Sequence, residues 1–308
     1  MTKQDQLQWE ARWAGPAALA AFAGGLMLLA GTGLLLSIPD DRAFIQSRPD
    51  FLLSVNDSPG SLAAAVVLQA VAALCLIFAF YYLFRATIHR SPEMIPRWFV
   101  YLVVLGPAMY AVAQVLGLFT QLDVAEMFAD QDYSFPDADP QDDPNLRECP
   151  ALRGDLGDAC ADELLQVNSS GAAVALGLAG SVATAFLFVM LPLRARRAGL
   201  MSPFISIIGV IAGVLFVLPL LPGVPVVLQA FWLGALGVLY LGRWPGGRGP
   251  AWESGEPDPW PGTAQRGGPK DDEGQQAEPE PEPAALPEGG AEPEPERPVS
   301  RKRKRKRR

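Results

Sequence analysis

Histidine is almost missing from this chain: His89 is the only one in 308 residues. That scarcity excludes a multi-histidine metal centre and leaves no histidine-dependent triad inside a membrane. Cysteine occurs only at Cys75, Cys149 and Cys160, which leaves room for one intramolecular bridge. Charge is missing from six long apolar runs, at 14–38, 62–84, 98–122, 171–193, 203–221 and 224–241. Membrane enzymes and ion-coupled carriers depend on ionisable groups within their spans, where such groups are costly and are kept because they work. The lack of any argues against both classes, and no cofactor is implied.

Half of the residues are hydrophobic and 19% are charged, with the charges segregated into blocks. A hydrocarbon core about 30 Å thick needs about 20 apolar residues of helix, and the six runs approach or exceed that. They predict an all-α integral membrane protein with six transmembrane helices, three on each side of a polar loop. The first run, about 25 residues, exceeds the usual signal-peptide core of about 7–15. Ser37-Ile38-Pro39 is also no small-residue cleavage site, so the run is expected to be retained. The abundance of Ala, Gly, Pro and Arg over Lys, Ile and Asn points to a GC-rich bacterial genome.

The dividing loop, 123–169, carries thirteen acidic residues against Arg147 and Arg153. Asp130, Asp132, Asp137, Asp139, Asp142 and Asp143 have the oxygen ligands calcium prefers. They lack the D-x-D-x-D-G register, so a solvated acidic loop is the expectation. Asn168-Ser169-Ser170 reads as the N-cap of the fourth span. Within the spans, Gly106-Pro107 predicts a bend. Ala173, Gly177, Ser181 and Ala185 form a small-residue stripe suited to close helix packing. Pro219, Pro222-Gly223 and Pro225 split the last long apolar stretch into a helical hairpin. The stretch 39–60 carries apolar residues suited to a short interfacial helix.

Lys and Arg in short loops mark the cytoplasmic side. The N-terminal segment 1–13, the turn with Arg85, His89, Arg90 and Arg97, the turn at 194–197, and Arg243 with Arg248 fall on one face if there are six spans. The expected location is therefore a multi-pass cell-membrane protein with both termini cytoplasmic and the acidic loop outside. Trp9, Trp13, Trp98 and Tyr101 suit the headgroup zone. Cys149 and Cys160, both in the external loop, are expected to form a disulfide, with Cys75 reduced in the second span.

The segment 244–308 is rich in Gly, Pro and Glu and repeats Glu-Pro from Glu278 onward. Such a composition cannot bury enough apolar surface to offset its ordering entropy, so a disordered cytoplasmic tail is expected. It ends in Arg301, Lys302, Arg303, Lys304, Arg305, Lys306, Arg307 and Arg308. A flexible tether of 55 or so residues reaches about 40 Å. The tip can therefore return to its own membrane, where anionic lipid headgroups are the expected partner and nucleic acid the competing polyanion. Gln69, Gln114 and Gln229 are large polar residues within the spans. They are expected either to hydrogen-bond between helices or to share one polar layer. The function expected from these features is a non-enzymatic scaffold, subunit or envelope sensor; the alternative is a small-molecule transporter or channel.

Overall fold

The computed structural model describes residues 2–37, 48–93, 95–130, 155–217, 224–245 and 247–260, with the backbone alone for 155–159. The chain divides into units 1–267 and 268–308, and the second lies outside the described residues. Every regular element among the described residues is an α-helix. In order these are α1 (Lys3–Ser37), α2 (Arg48–Asp57), α3 (Pro59–Arg90), α4 (Phe99–Asp130), α5 (Asp155–Asn168), α6 (Gly171–Arg197), α7 (Pro203–Val217), α8 (Val224–Tyr240) and α9 (Pro250–Ser254).

Local chemistry sets several of these limits. Proline at the start of α3 and of α7 has no amide hydrogen to leave unpaired. Ser170 caps α6 by accepting a hydrogen bond from the Ala173 amide at 3.1 Å. His89 and Arg90 end α3, and Arg194, Arg196 and Arg197 end α6, where positive charge complements the helix dipole. α1, α3, α4 and α6 are long and apolar enough to cross a membrane. α7 and α8, with 15 and 17 residues, rise only about 22 and 25 Å at 1.5 Å per residue. The intended turn between them, 218–223, lies outside the described residues.

Apolar helices that follow one another in the chain run antiparallel, as do α1 and α8. Along α1 and α3, Glu10 meets Arg90 at one end and Gly31 meets Ala65 at the other. α4 and α6 meet at Gly106 with Ala183, at Tyr110 with Gly180 and at Ala113 with Gly177. Gly213 of α7 lies against Ala185, and Gly25 of α1 lies against Ala230 of α8. Close approach through small residues is what a bilayer favours, because lipid tails give no hydrophobic drive between helices. Gly180 marks the tightest of these contacts: a Cβ there would stand 2.5 Å from the Tyr110 nitrogen and 2.9 Å from its Cα. The four-residue stripe serves two neighbours. Each step of four residues turns about 40° past a full revolution, so Gly177 faces α4 while the Ala185 carbonyl faces α7.

Phe80, Phe188 and Trp232 form the aromatic centre, with ring centroids 5.0 to 5.8 Å apart. The Trp232 Nε1 donates to the Ile205 carbonyl at 2.9 Å, so burial leaves its polar edge satisfied. Leu19, Leu26, Phe119, Leu178 and Val227 point outward, as suits a lipid-facing surface.

α1 is continuous from Lys3, so residues 3–13 extend the first apolar helix beyond the charge-free run. Two parts of the sequence-based outline need correction. The loop 123–169 is not wholly solvated: 123–130 complete α4 and 155–168 form α5, while 131–154 lie outside the described residues. Val124, Ala125, Phe128, Ala161 and Leu164 are buried together with Leu52 and Val55 of α2. Their spacing of one, three and four is helical, and the count of acidic residues conceals it. The segment 244–308 is also not uniformly a loose tail, since Ala251, Trp252 and Trp260 are buried in the main core. Indole burial there outweighs the Gly and Pro content; the tail from 261 onward lies outside the described residues.

Candidate functional site

The helix ends define a basic end, holding the start of α1, the end of α3 and the α6–α7 turn, and an acidic end, holding α2, α5 and the end of α4. At the basic end two charges are removed from water. The side chains of Arg90 and Glu10 are 0% and 3% exposed and make a two-pronged ion pair. The Arg90 Nη1 donates to Oε1 at 2.6 Å and its Nη2 to Oε2 at 2.8 Å. Nη1 also donates to the Ala86 carbonyl, and Nε donates to the Ala251 carbonyl at 2.8 Å. The Gln6 amide adds a hydrogen bond to Glu10 at 2.9 Å. A buried pair is tolerated when its remaining hydrogen-bonding capacity is met in this way.

Aromatic rings seal the pair. Tyr82 stacks between Trp9 and Trp252, at 5.6 and 5.8 Å, and its hydroxyl donates to the Glu10 carbonyl at 3.1 Å. Arg90 lies 5.3 Å from the Trp252 ring centroid and Arg248 lies 5.0 Å from it. Arg248 also donates to the Tyr82 hydroxyl at 3.1 Å, while its Nε is buried without a hydrogen-bond partner. The Trp252 Nε1 donates to the Leu200 carbonyl at 2.8 Å. Gly199, with φ 74°, lets the Asp258 backbone approach where any Cβ would overlap it. These contacts clasp α1, α3, the α6–α7 turn and the 247–260 segment together. At the exposed rim Lys3 pairs with Glu256 at 2.6 Å. The Lys3 hydrogen bond and charge hold the Glu256 carboxyl below its usual range. That rim contact is therefore present at neutral pH and is lost as pH falls through the lowered value.

The acidic end carries a cleft of ≈ 390 Å³ between α4 and α6, roofed by Leu165 and Ser169 near the end of α5 and by Arg48 of α2. Gln114 lines it, as does Tyr110 one turn earlier on α4. Gln69 and Gln229 do not line this cleft. Gln69 packs beside Gly31 in the α1–α3 contact, and Gln229 is buried on α8. Cys160 is buried and disulfide-bonded, and Cys75 is a free thiol. Cys149, the partner expected for Cys160, lies outside the described residues, as do Arg301 to Arg308. Among the described residues no group of three or more His, Cys, Asp or Glu could hold a metal ion.

Sequence reasoning missed Glu10 and Arg90 as a pair, since both read as members of polar or basic flanks. A large indole in a segment otherwise poor in apolar residues, as at Trp252 and Trp260, was the available signal.

Removing one partner of the buried pair should cost about 3–5 kcal/mol through the uncompensated charge left behind. Glu10→Ala and Arg90→Ala should each lower the thermal unfolding temperature in nanodiscs. Glu10→Leu combined with Arg90→Met should lie much closer to wild type than either single variant, and additive losses would contradict the pairing. At the other end, intact protein from an oxidising compartment should take up alkylating reagent at Cys149 and Cys160 only after reduction. Labelling of both without reductant would exclude a bridge between them. Comparison with protein families, with curated proteins and with solved structures finds no match to this chain.

Proposed function

We propose that this chain is a six-span, non-enzymatic scaffold, subunit or sensor of the bacterial cell membrane, with both termini cytoplasmic and a basic tail tip that binds anionic lipid. The observation that carries this reading is the docking of 247–260 at the basic end. Arg90 holds the Ala251 carbonyl, Leu200 holds the Trp252 indole, and Trp260 is buried in the same core. The tether therefore starts from a fixed point on the face where Arg85, Arg97, Arg194 and Arg243 lie. From 261 to 300 it has 40 residues, giving a reach of about 35 Å as flexible coil. Each basic residue near an anionic leaflet contributes about 1 kcal/mol, and the tether keeps the tip at its own surface. Binding to nucleic acid would need the same charges to leave that surface.

Six crossings are supported by the antiparallel order of α1, α3, α4, α6, α7 and α8, although α7 and α8 are short for a full span. The scaffold reading also draws on the charge-free runs of the spans; the one buried ion pair among the described residues, Glu10 with Arg90, lies outside those runs at the bundle end, with its hydrogen-bonding capacity met. The transporter reading draws on the cleft beside Gln114.

Reporter fusions after residues 50, 92, 145, 198 and 255 should read outside, inside, outside, inside and inside. An external reading at 255 would remove α7 and α8 as separate crossings. A peptide of 261–308 should cosediment with vesicles containing anionic phospholipid and not with neutral vesicles, and lose binding without 301–308. Equal binding to both vesicle types would refute the electrostatic claim.

A further inference from the structure

The cleft between α4 and α6 is polar along one wall although both helices are apolar enough to cross a membrane. Counted from Phe99 at 1.5 Å per residue, Gln114 lies about 22 Å and Gln121 about 33 Å along α4. Against a hydrocarbon core of about 30 Å, with exposed Trp98 and Tyr101 marking the basic-side interface, the cleft extends from acyl depth up to headgroup depth. Thr120, Gln121, Ser169 and Arg48 lie at its mouth and Ala113, Gly117 and Gly177 along its length. Gly117 leaves the groove open, since a Cβ there would meet no atom within 4 Å. The volume, ≈ 390 Å³, falls in the range of small-ligand sites, about 300–1,000 Å³.

The charge at the mouth selects among amphiphiles. Arg48 Nε is 2.8 Å from the Asp162 Oδ1, in a pair whose side chains are 60% and 58% exposed. The same end carries Asp50, Asp57, Asp123, Glu126, Asp130 and Glu163, and Arg48 is its only Lys or Arg among the described residues. An anionic headgroup meets repulsion there. A zwitterionic one offers a phosphate to Arg48 and a cation to Asp162, and a primary ammonium donates hydrogen bonds to the carboxylate where a quaternary one cannot.

We propose that this cleft is a binding site for a phospholipid with a primary-ammonium headgroup, taken from the leaflet on the α5 side. The phosphate engages Arg48, the ammonium engages Asp162, and one acyl chain lies along Ala113, Gly117 and Gly177. This inference uses only α2, α4, α5 and α6 and does not depend on the number of spans or on the tail.

The test uses the full chain in phosphatidylcholine nanodiscs doped with lipids that share a photoactivatable acyl chain and differ in headgroup: ethanolamine, choline or glycerol. Label should reach peptides covering 113–121 and 169–177 about threefold more from the ethanolamine lipid, the scale an exposed ion pair supports. Asp162→Asn should remove that preference. Gly117→Phe should abolish labelling of these peptides. Gly33→Phe, in the separate α1–α8 groove where a Cβ also meets nothing within 4 Å, should leave it. Equal labelling by all three lipids of the wild-type chain, annular lipid only, would overturn the proposal, as would labelling that survives Gly117→Phe.

Discussion

Glu10 and Arg90 lie on two different helices, eighty positions apart, and neither side chain has meaningful access to water. Placing a carboxylate and a guanidinium there costs several kcal/mol of hydration per ion, by order of magnitude. The arrangement persists because the oxygens and nitrogens are matched in two parallel bonds and the spare donors reach main-chain carbonyls. One of those carbonyls belongs to Ala251. The pair that fixes α1 against α3 therefore also fixes the chain after the last apolar helix, and the aromatic stack of Trp9, Tyr82 and Trp252 depends on that docking.

Away from this end the bundle is held by a different principle. Apolar side chains facing lipid gain little from facing another helix instead, so the bundle relies on close approach and on a few internal hydrogen bonds. Gly180 against Tyr110 and Gly213 against Ala185 supply the first. The Trp232 bond to Ile205 and the Tyr240 bond to Ala79 supply the second. The two ends then differ in role. The basic end is closed by charge and aromatic rings, while the acidic end has a small apolar core under α2 and α5 and keeps a cleft open beside it.

How much of this was legible follows from the range of each signal. Helix existence, a cap within Asn168-Ser169-Ser170 and the basic turns depend on neighbours in sequence, and they read directly. The helix in 39–60 appeared as α2, Arg48–Asp57. The Glu10–Arg90 pair depends on a contact across eighty positions, which composition cannot reveal. Phe128 and Leu164 were hidden because the charges around them dominated the reading of 123–169. Trp252 was hidden because Gly and Pro dominated the reading of the tail. Gln69, Gln114 and Gln229 resemble one another in type and approximate depth, yet depth along a helix says nothing of the direction in which a residue faces. Gln114 faces the α4–α6 cleft and the other two do not line it.

The claim on which these relations rest is that 248–256 is part of the folded bundle, locked by the buried pair. Amide hydrogen exchange on the full chain in nanodiscs measures this directly. The account predicts that the Trp252 and Gly255 amides, which donate to Gly249 and Ala251, exchange far more slowly than in a free peptide, and that Glu10→Gln releases them. Exchange of this segment at the free-peptide rate in the unaltered protein would contradict it.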